Sequence, residues 1–385
     1  MPKQKKVRRF SSFMNNPFDF ILCITVFLLL AIGIIMVLSA SAPSSLSTNG
    51  DSYTYVRKQA GFAILGIALM FLISKIDYRF YKKYYWAIYV LSCLILLLVI
   101  VPVIGREVKG ATRWINLGFG QFQPSEITKI GLIIFYAGYL SDHKNDLKSF
   151  WKGFVKPFLF LVPPIGILFF VQNHLSASLL IGLVTCTMMI VAGCRILHFT
   201  ISGLVAGCGT AVGLFVMQVT GSGGFRLDRI ETFFNPWENA TTTGYQLVQS
   251  LYAIGSGGLF GLGLGESKQK YLYIPEPHND FIFAILAEEL GFLGCLAVIV
   301  LFGIFIWRGV LSAMKAPDMF GSLLATGITA LVGLQAIINI AVVTGSIPTT
   351  GMPLPFFSYG GTALVILLCA VGILLNISRA GAKTK

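Results

Sequence analysis

Ten apolar stretches, each about 17 to 25 residues long and separated by polar connectors, constrain this chain more than any other feature. They begin near Phe18, Gln59, Tyr84, Ser125, Pro157, Ala177, Phe199, Phe281, Phe320 and Gly361. A helix of that length matches the ~30 Å hydrocarbon core of a bilayer and satisfies its own backbone hydrogen bonds where no water is present. The expected fold is an all-α polytopic membrane protein with ten transmembrane helices. Composition agrees, because only 12% of the residues are charged, against about 25% in soluble chains. Nothing outside the apolar runs is long enough to build a separate core, so residues 1–385 read as a single integral membrane domain.

Lys and Arg give the expected orientation, since short cytoplasmic loops collect them. Nineteen of the 29 basic residues fall in one alternate set of connectors, from Lys3 and Arg9 through Lys75–Lys83, Lys144–Lys156, Arg195, Arg308 and Lys315 to Arg379 and Lys385. Both termini are therefore expected in the cytoplasm, with basic tails at 1–17 and 379–385. A large extracellular loop, residues 219–280, joins helices 7 and 8. The net charge of +13 is a topology signal and does not point to nucleic acid, because the basic residues do not gather on one amphipathic face. The N-terminal basic run resembles a signal peptide, but its apolar part, Phe18 to about Ser39, is too long and lacks a convincing cleavage site. It is expected to stay as the first helix. All seven cysteines lie in or at the ends of apolar segments, as packing residues would.

The expected outward connectors hold the unusual residues. Residues 105–126 combine Arg106, Lys109, Arg113 and Trp114 ahead of a helix start at Pro124; an aromatic beside a cation suits a sugar and an anion, and equally a membrane interface. Glu126 and Lys129 stand three apart and share a helix face, either as a neutralised pair or as the wall of a polar cavity. His174 has no second His or Cys at metal-site spacing. Residues 244–254 fit a short surface helix with Tyr245, Val248, Leu251 and Tyr252 on one side. The glycine-rich run 255–265 matches no nucleotide fingerprint and reads as flexible or closely apposed backbone. Arg226, Arg229, Lys268 and Lys270 could meet a diphosphate, or be neutralised by Asp228, Glu231 and Glu266. The prolines and glycines of 345–363 exclude a continuous helix. Within Leu272–Gly294 stand Asp280, Glu288 and Glu289, carboxylates that need partners, a wet cavity or a task. Asp280 is either a helix cap or a catalytic base.

Four stretches, GATRWINLGFGQFQPSEITK (110–129), GYQLVQSLYAIGSGGLFGLGLGESKQK (244–270), PEPHNDFIFAILAEELGFLG (275–294) and PTTGMPLPFFSYGG (348–361), occur in this order. Together they resemble the SEDS family of shape, elongation, division and sporulation proteins typified by FtsW, RodA and SpoVE, with wording nearest the FtsW and SpoVE branch. The resemblance implies a peptidoglycan glycosyltransferase that polymerises lipid II, an undecaprenyl-diphosphate-linked substrate, at the outer face of the bacterial cytoplasmic membrane. It implies Asp280 as the catalytic acid of a His-Thr-Asp segment, here His-Asn-Asp with Asn279. Substrate binding is expected at Arg113, Trp114, Glu126, Lys129, Glu276, His278 and Ser358. The family's Gln-Pro-Asp-Leu-Gly reads QNHLS here, which removes an acid. The implied partner is a class B penicillin-binding protein transpeptidase.

The residue inventory suits that chemistry. Glycosidases use two carboxylates because an ordinary acetal has a poor leaving group. A diphosphate departs more easily, so one base for the acceptor hydroxyl plus cations for the diphosphate suffice. No organic cofactor is needed, and a divalent metal could take the diphosphate's charge in place of protein cations. The helix start behind Asp280 weakens it as a base, and partial burial acts the other way. Glu288 and Glu289 lie about 12 to 13 Å deeper, and being adjacent they are not expected to face one cavity. Buried carboxylates and broken helices also occur in transporters, so a lipid II flippase is the alternative, as is a non-catalytic scaffold.

Overall fold

The computed structural model describes residues 18–101, 105–108, 111–116, 121–204, 232–242, 244–271 and 273–381. Its helices are α1 (Phe20–Asn49), α2 (Thr54–Ile73), the short α3 (Arg79–Lys83) and α4 (Tyr85–Leu97). They continue with α5 (Pro124–Asp142), α6 (Phe150–Val171), α7 (Leu175–Ala192), α8 (Tyr245–Gly257), α9 (Ile282–Met314), α10 (Met319–Val343) and α11 (Gly361–Gly381). Among the described residues seven of these, α1, α2, α6, α7, α9, α10 and α11, are long and apolar enough to cross a membrane. Helix α4 is apolar but shorter, and α5 carries Glu126, Lys129 and Asp142. The stretch expected from Phe199 begins as helix at 196–204, and its remainder lies outside the described residues.

Local chemistry sets the helix ends. Asp19 caps α1, its Oδ1 accepting from the Leu22 N–H at 3.0 Å, and α1 stops at Gly50 in the left-handed region (φ 70°). Helix α5 opens with Pro124 in its first turn, where a missing N–H costs nothing. Glycines set the α2–α11 contact: a Cβ on Gly66 would run into Leu368, and one on Gly372 into the Met70 carbonyl. Small residues draw membrane helices together where no hydrophobic effect drives them.

The structure adds a small antiparallel sheet within 105–122, which the sequence presented only as a loop. β1 (Gly105–Val108) pairs with β2 (Ala111–Asn116), setting Arg106 opposite Trp114, and β2 pairs with β3 (Gln121–Phe122). Among the described residues the fold is helical with this one exception. Helix α8 forms as the expected short helix: Tyr252 is 53% exposed, and the face turned to the protein holds Leu247, Val248, Ser250 and Ala253. That face is set by its neighbours, because the Ser250 hydroxyl donates to the Val343 carbonyl at 2.8 Å and satisfies an orphan acceptor at the end of α10.

Ion pairs collect at one end of the helices. Arg308 meets Asp19 at 2.6 Å, and Lys82 meets Asp142 at 2.9 Å. The Tyr78 hydroxyl and Arg79 both donate to Asp318, at 2.6 and 3.0 Å. Asp318 also caps α10 through the Gly321 N–H at 2.8 Å. Burial works against its charge, but the hydrogen bonds from Tyr78, Gly321 and Arg79 prevail and hold its carboxyl below the usual range. A lowered value means that its stabilisation is present above the ordinary aspartate value of ~3.9 and is lost as pH falls through the folded value. Asp318→Ala is expected to cost about 0.5–2 kcal/mol at neutral pH, the worth of a helix cap. In detergent melts the gap between wild type and variant should narrow from pH 7 toward pH 3.

Candidate active site

Asp280 lies at the opposite end, where three chain segments are sewn together. Helix α9 begins after it, with Phe281 at the cap position and no cap from the Phe281 side chain. The Asp280 carboxylate faces Gly351 (φ 66°): a Cβ there would stand 3.3 Å from Oδ2. Asn339, on α10, donates to the carbonyls of Asp280 and Met352 at 2.8 and 2.6 Å. Ser358 donates to the Asn279 carbonyl and accepts from the Leu354 N–H, each at 2.7 Å. The Tyr359 N–H reaches the His278 carbonyl at 2.9 Å. Gln59 of α2 donates to the Ser358 carbonyl and accepts from the Gly360 N–H. The His278 ring is buried and packs between Tyr55 and Tyr359, with centroids at 4.7 and 5.7 Å. Glu276, exposed and at φ 49°, accepts from Asn279 Nδ2 at 3.1 Å.

A second group adjoins the start of α7. Arg113 donates to the carbonyls of Gln172 and Asn173, at 3.1 and 2.5 Å, and Trp114 beside it is half-buried. Lys129 pairs with Glu126 at 2.8 Å, with side chains 6% and 13% exposed. The pair is thus mutually neutralised, and Lys129 also borders a small cavity with Ile133, Val184 and Thr185. His174 lies within electrostatic reach of both Arg113 and Lys129; burial first, then these cations, push its pKa down to about 3. It is therefore neutral at physiological pH. Two residues on, Ser176 hydrogen-bonds the Thr350 carbonyl, next to Gly351. One chain of contacts therefore runs from Arg113 through the 172–176 turn to the loop under Asp280. Arg226 and Arg229 lie outside the described residues, and among those described no three His, Cys, Asp or Glu side chains group to hold a metal ion.

Glu288 and Glu289 do not face one cavity, as expected of adjacent residues. Both are buried, each 1% exposed, and both serve one loop. Glu288 accepts from the Lys268 and Gln269 N–H groups at 2.9 and 3.4 Å and from the Ser267 hydroxyl at 2.5 Å. Glu289 takes the Lys270 ammonium at 2.9 Å and the Ser39 hydroxyl at 2.6 Å. Adjacent residues reach one loop because that loop wraps the helix instead of facing one side of it. Lys270, 4% exposed, is consequently held by Glu289 and not by Glu266, and is withdrawn from any diphosphate. The glycine run is closely apposed backbone: Leu262 and Gly263 N–H groups reach the Glu288 and Glu289 carbonyls at 2.9 and 3.1 Å. In return Phe292 and Leu293 donate to Gly258 and Leu259 across a break in α9 at Gly291 (φ 65°).

The sequence did not single out Tyr55, Gln59, Ser176 or Asn339. The available signal was a pair of amides four residues apart in an otherwise apolar helix, Gln335 and Asn339 in α10.

The sequence matches the family described as Cell cycle protein, FtsW/RodA/SpoVE, over residues 20–383. The chain belongs to this family. Stage V sporulation protein E of Bacillus subtilis is 44% identical over 94% of this chain and 97% of its own length. A probable peptidoglycan glycosyltransferase FtsW of Geobacter sulfurreducens is 41% identical over 94% and 95%. Among solved structures, a chain of a peptidoglycan synthase complex that coordinates polymerization and crosslinking superposes with a TM-score of 0.77 at 27% identity, covering 94% of this chain and 98% of that one. Rod shape determining protein RodA of Thermus thermophilus gives a TM-score of 0.68 at 28% identity, over 94% and 97%. With its apolar helices, the chain is a multi-pass membrane protein.

Breaking a buried ion pair from one side costs about 3–5 kcal/mol, whereas replacing both partners is far milder. Lys270→Met alone should therefore lower the melting temperature strongly in detergent, and the double variant Lys270→Met/Glu289→Gln should recover most of the loss.

Proposed function

We propose that this protein is a peptidoglycan glycosyltransferase of the bacterial cytoplasmic membrane that polymerises lipid II in cell division or sporulation. The observation that carries the reading is the setting of Asp280: one half-buried carboxylate, its backbone tied to α10 by Asn339, in a chain whose relatives include proteins named for this activity. Asp280 is assigned as general base, taking the proton of the acceptor sugar hydroxyl as that oxygen attacks the anomeric carbon and the undecaprenyl diphosphate leaves. Arg113, Trp114, Glu126, Lys129, Glu276, His278 and Ser358 are assigned to the substrate. His278 and Ser358 are buried, so they act on the substrate through the loop they shape and the other five by direct contact. A divalent metal remains a compatible carrier of diphosphate charge, supplying Lewis acidity when bound.

The topology proposed is ten crossings with both termini in the cytoplasm and residues 219–280 outside. The ion-paired basic end, with Arg79, Lys82 and Arg308, supports placing that end inside. A class B penicillin-binding protein is the proposed partner, because one structural neighbour is a chain of a complex that joins polymerization to crosslinking.

Flippase chemistry would call on Glu288 and Glu289 as transport carboxylates. The engagement of Glu288 by Ser267 and loop N–H groups and of Glu289 Oε1 by Lys270 and Ser39 weighs against that reading, as does the filling of the α9 break by protein backbone.

Purified protein with its transpeptidase partner is expected to convert lipid II into glycan strands resolved on a gel. Asp280→Asn should reduce the rate at least about 10²-fold, the lower end for loss of a general base, with a melting temperature close to wild type. Full polymerisation by a folded Asp280→Ala variant would remove the assignment. Absence of glycan together with movement of lipid II between leaflets of sealed vesicles would establish the flippase instead.

A further inference from the structure

We infer that Asn339 is a positioning residue for the reaction: its single amide group fixes the distance between the Asp280 carboxylate and the 349–353 loop that faces it. The inference rests on the reading of Asp280 as general base.

Asn339 lies one turn from the end of α10 and is 1% exposed. Both of its partners are carbonyl oxygens, Asp280 at 2.8 Å and Met352 at 2.6 Å. The nitrogen must therefore face them, and an amide NH₂ has two protons to give. One donor group thus bridges the backbone that carries the base and the backbone one residue beyond Gly351. Its Oδ1 has no hydrogen-bond partner among the described residues although it is buried. A buried amide that forgoes its acceptor bond in order to place both donors is oriented by the two loops, not by its own helix.

The neighbouring contacts show what the bridge holds. Gln335, one turn earlier on the same face of α10, donates to the Pro353 carbonyl at 2.9 Å, and Ser176 reaches the Thr350 carbonyl from α7. These two tethers hold the loop alone. Asn339 is the tether that also reaches Asp280. Gly351 is where the loop meets the carboxylate: a Cβ there would press on Oδ2 at a tight 3.3 Å, and the positive φ of 66° itself disfavours any side chain. A carboxylate displaced by about an ångström loses in-line reach to the acceptor hydroxyl, and such misplacement costs on the order of 10²-fold in rate. Binding of lipid II elsewhere on the protein is untouched, so the loss falls on kcat and not on KM.

The test compares Asn339→Ala, the equal-sized Asn339→Asp, which cannot give two donors, and Gln335→Ala. Each is purified with the partner transpeptidase and assayed for lipid II polymerisation, and each is examined by hydrogen exchange without substrate. Both Asn339 variants should lower kcat about 10- to 10²-fold with KM within about twofold, while Gln335→Ala lowers kcat less. Exchange should rise in both 279–281 and 350–353 for the Asn339 variants, and only in the loop for Gln335→Ala. Wild-type kcat in either folded Asn339 variant, a KM effect matching the kcat effect, or unchanged exchange in 279–281 would overturn the inference. If Asn339→Ala does not fold, Asn339→Asp decides. If wild type makes no glycan, the glycosyltransferase reading fails, and the exchange data still decide whether Asn339 couples the two segments.

Discussion

The structure depends on one constraint, that an interrupted helix within a membrane must find partners for every backbone group it frees. Helix α9 is interrupted at Gly291, and the segment 258–263 fills the gap by exchanging backbone hydrogen bonds on both sides of it. Glycine is required there because a Cβ on Gly257, Gly261 or Gly291 would run into the facing backbone. Once the segment is docked, Glu288 and Glu289 hold the next turn of chain, residues 267–270. The chain then has only about ten residues to return to the start of α9, and Asp280 sits at the end of that return. The position of the proposed base is thus set by a helix break some way below it.

The acidic residues divide according to what surrounds them. Glu289 and Lys270 form a dry pair, 0% and 4% exposed in their side chains, and stabilise the fold by geometry more than by attraction, since desolvation offsets most of the Coulomb term. Asp19 and Asp318 act at the opposite end as helix caps that also take arginine. Asp280 stands apart from both groups in its place in the fold. It sits half-buried, facing Gly351 of the following loop, and is the carboxylate proposed as the base.

Much of the helical layout was legible because membrane helices announce themselves by length and apolarity. The expected starts near Phe18, Phe281, Phe320 and Gly361 coincide with α1, α9, α10 and α11. The Glu126–Lys129 pair was also legible, since a three-residue spacing in one helix fixes it. The strand pairing of Arg106 with Trp114 was not, because a short ribbon beside a membrane has no long period to reveal it. The face that α8 buries was not legible either. Periodicity gave only a surface helix with Tyr245, Val248, Leu251 and Tyr252 on one side, and the contact of Ser250 with the Val343 carbonyl is a tertiary choice.

Read alone, the residues mark this chain as a bundle of membrane helices, show which polar stretches punctuate it, and put Asp280 at a helix mouth. Those follow from local quantities, hydropathy and spacing, that need no partner. Only the tertiary structure decided which carboxylates are spent on the fold. Lys270 pairs with Glu289 across nineteen positions of sequence, Ser176 meets Thr350 across 174, and Asn339 bridges Asp280 to Met352. Each of these contacts is a choice among several chemically equal partners, and packing makes that choice.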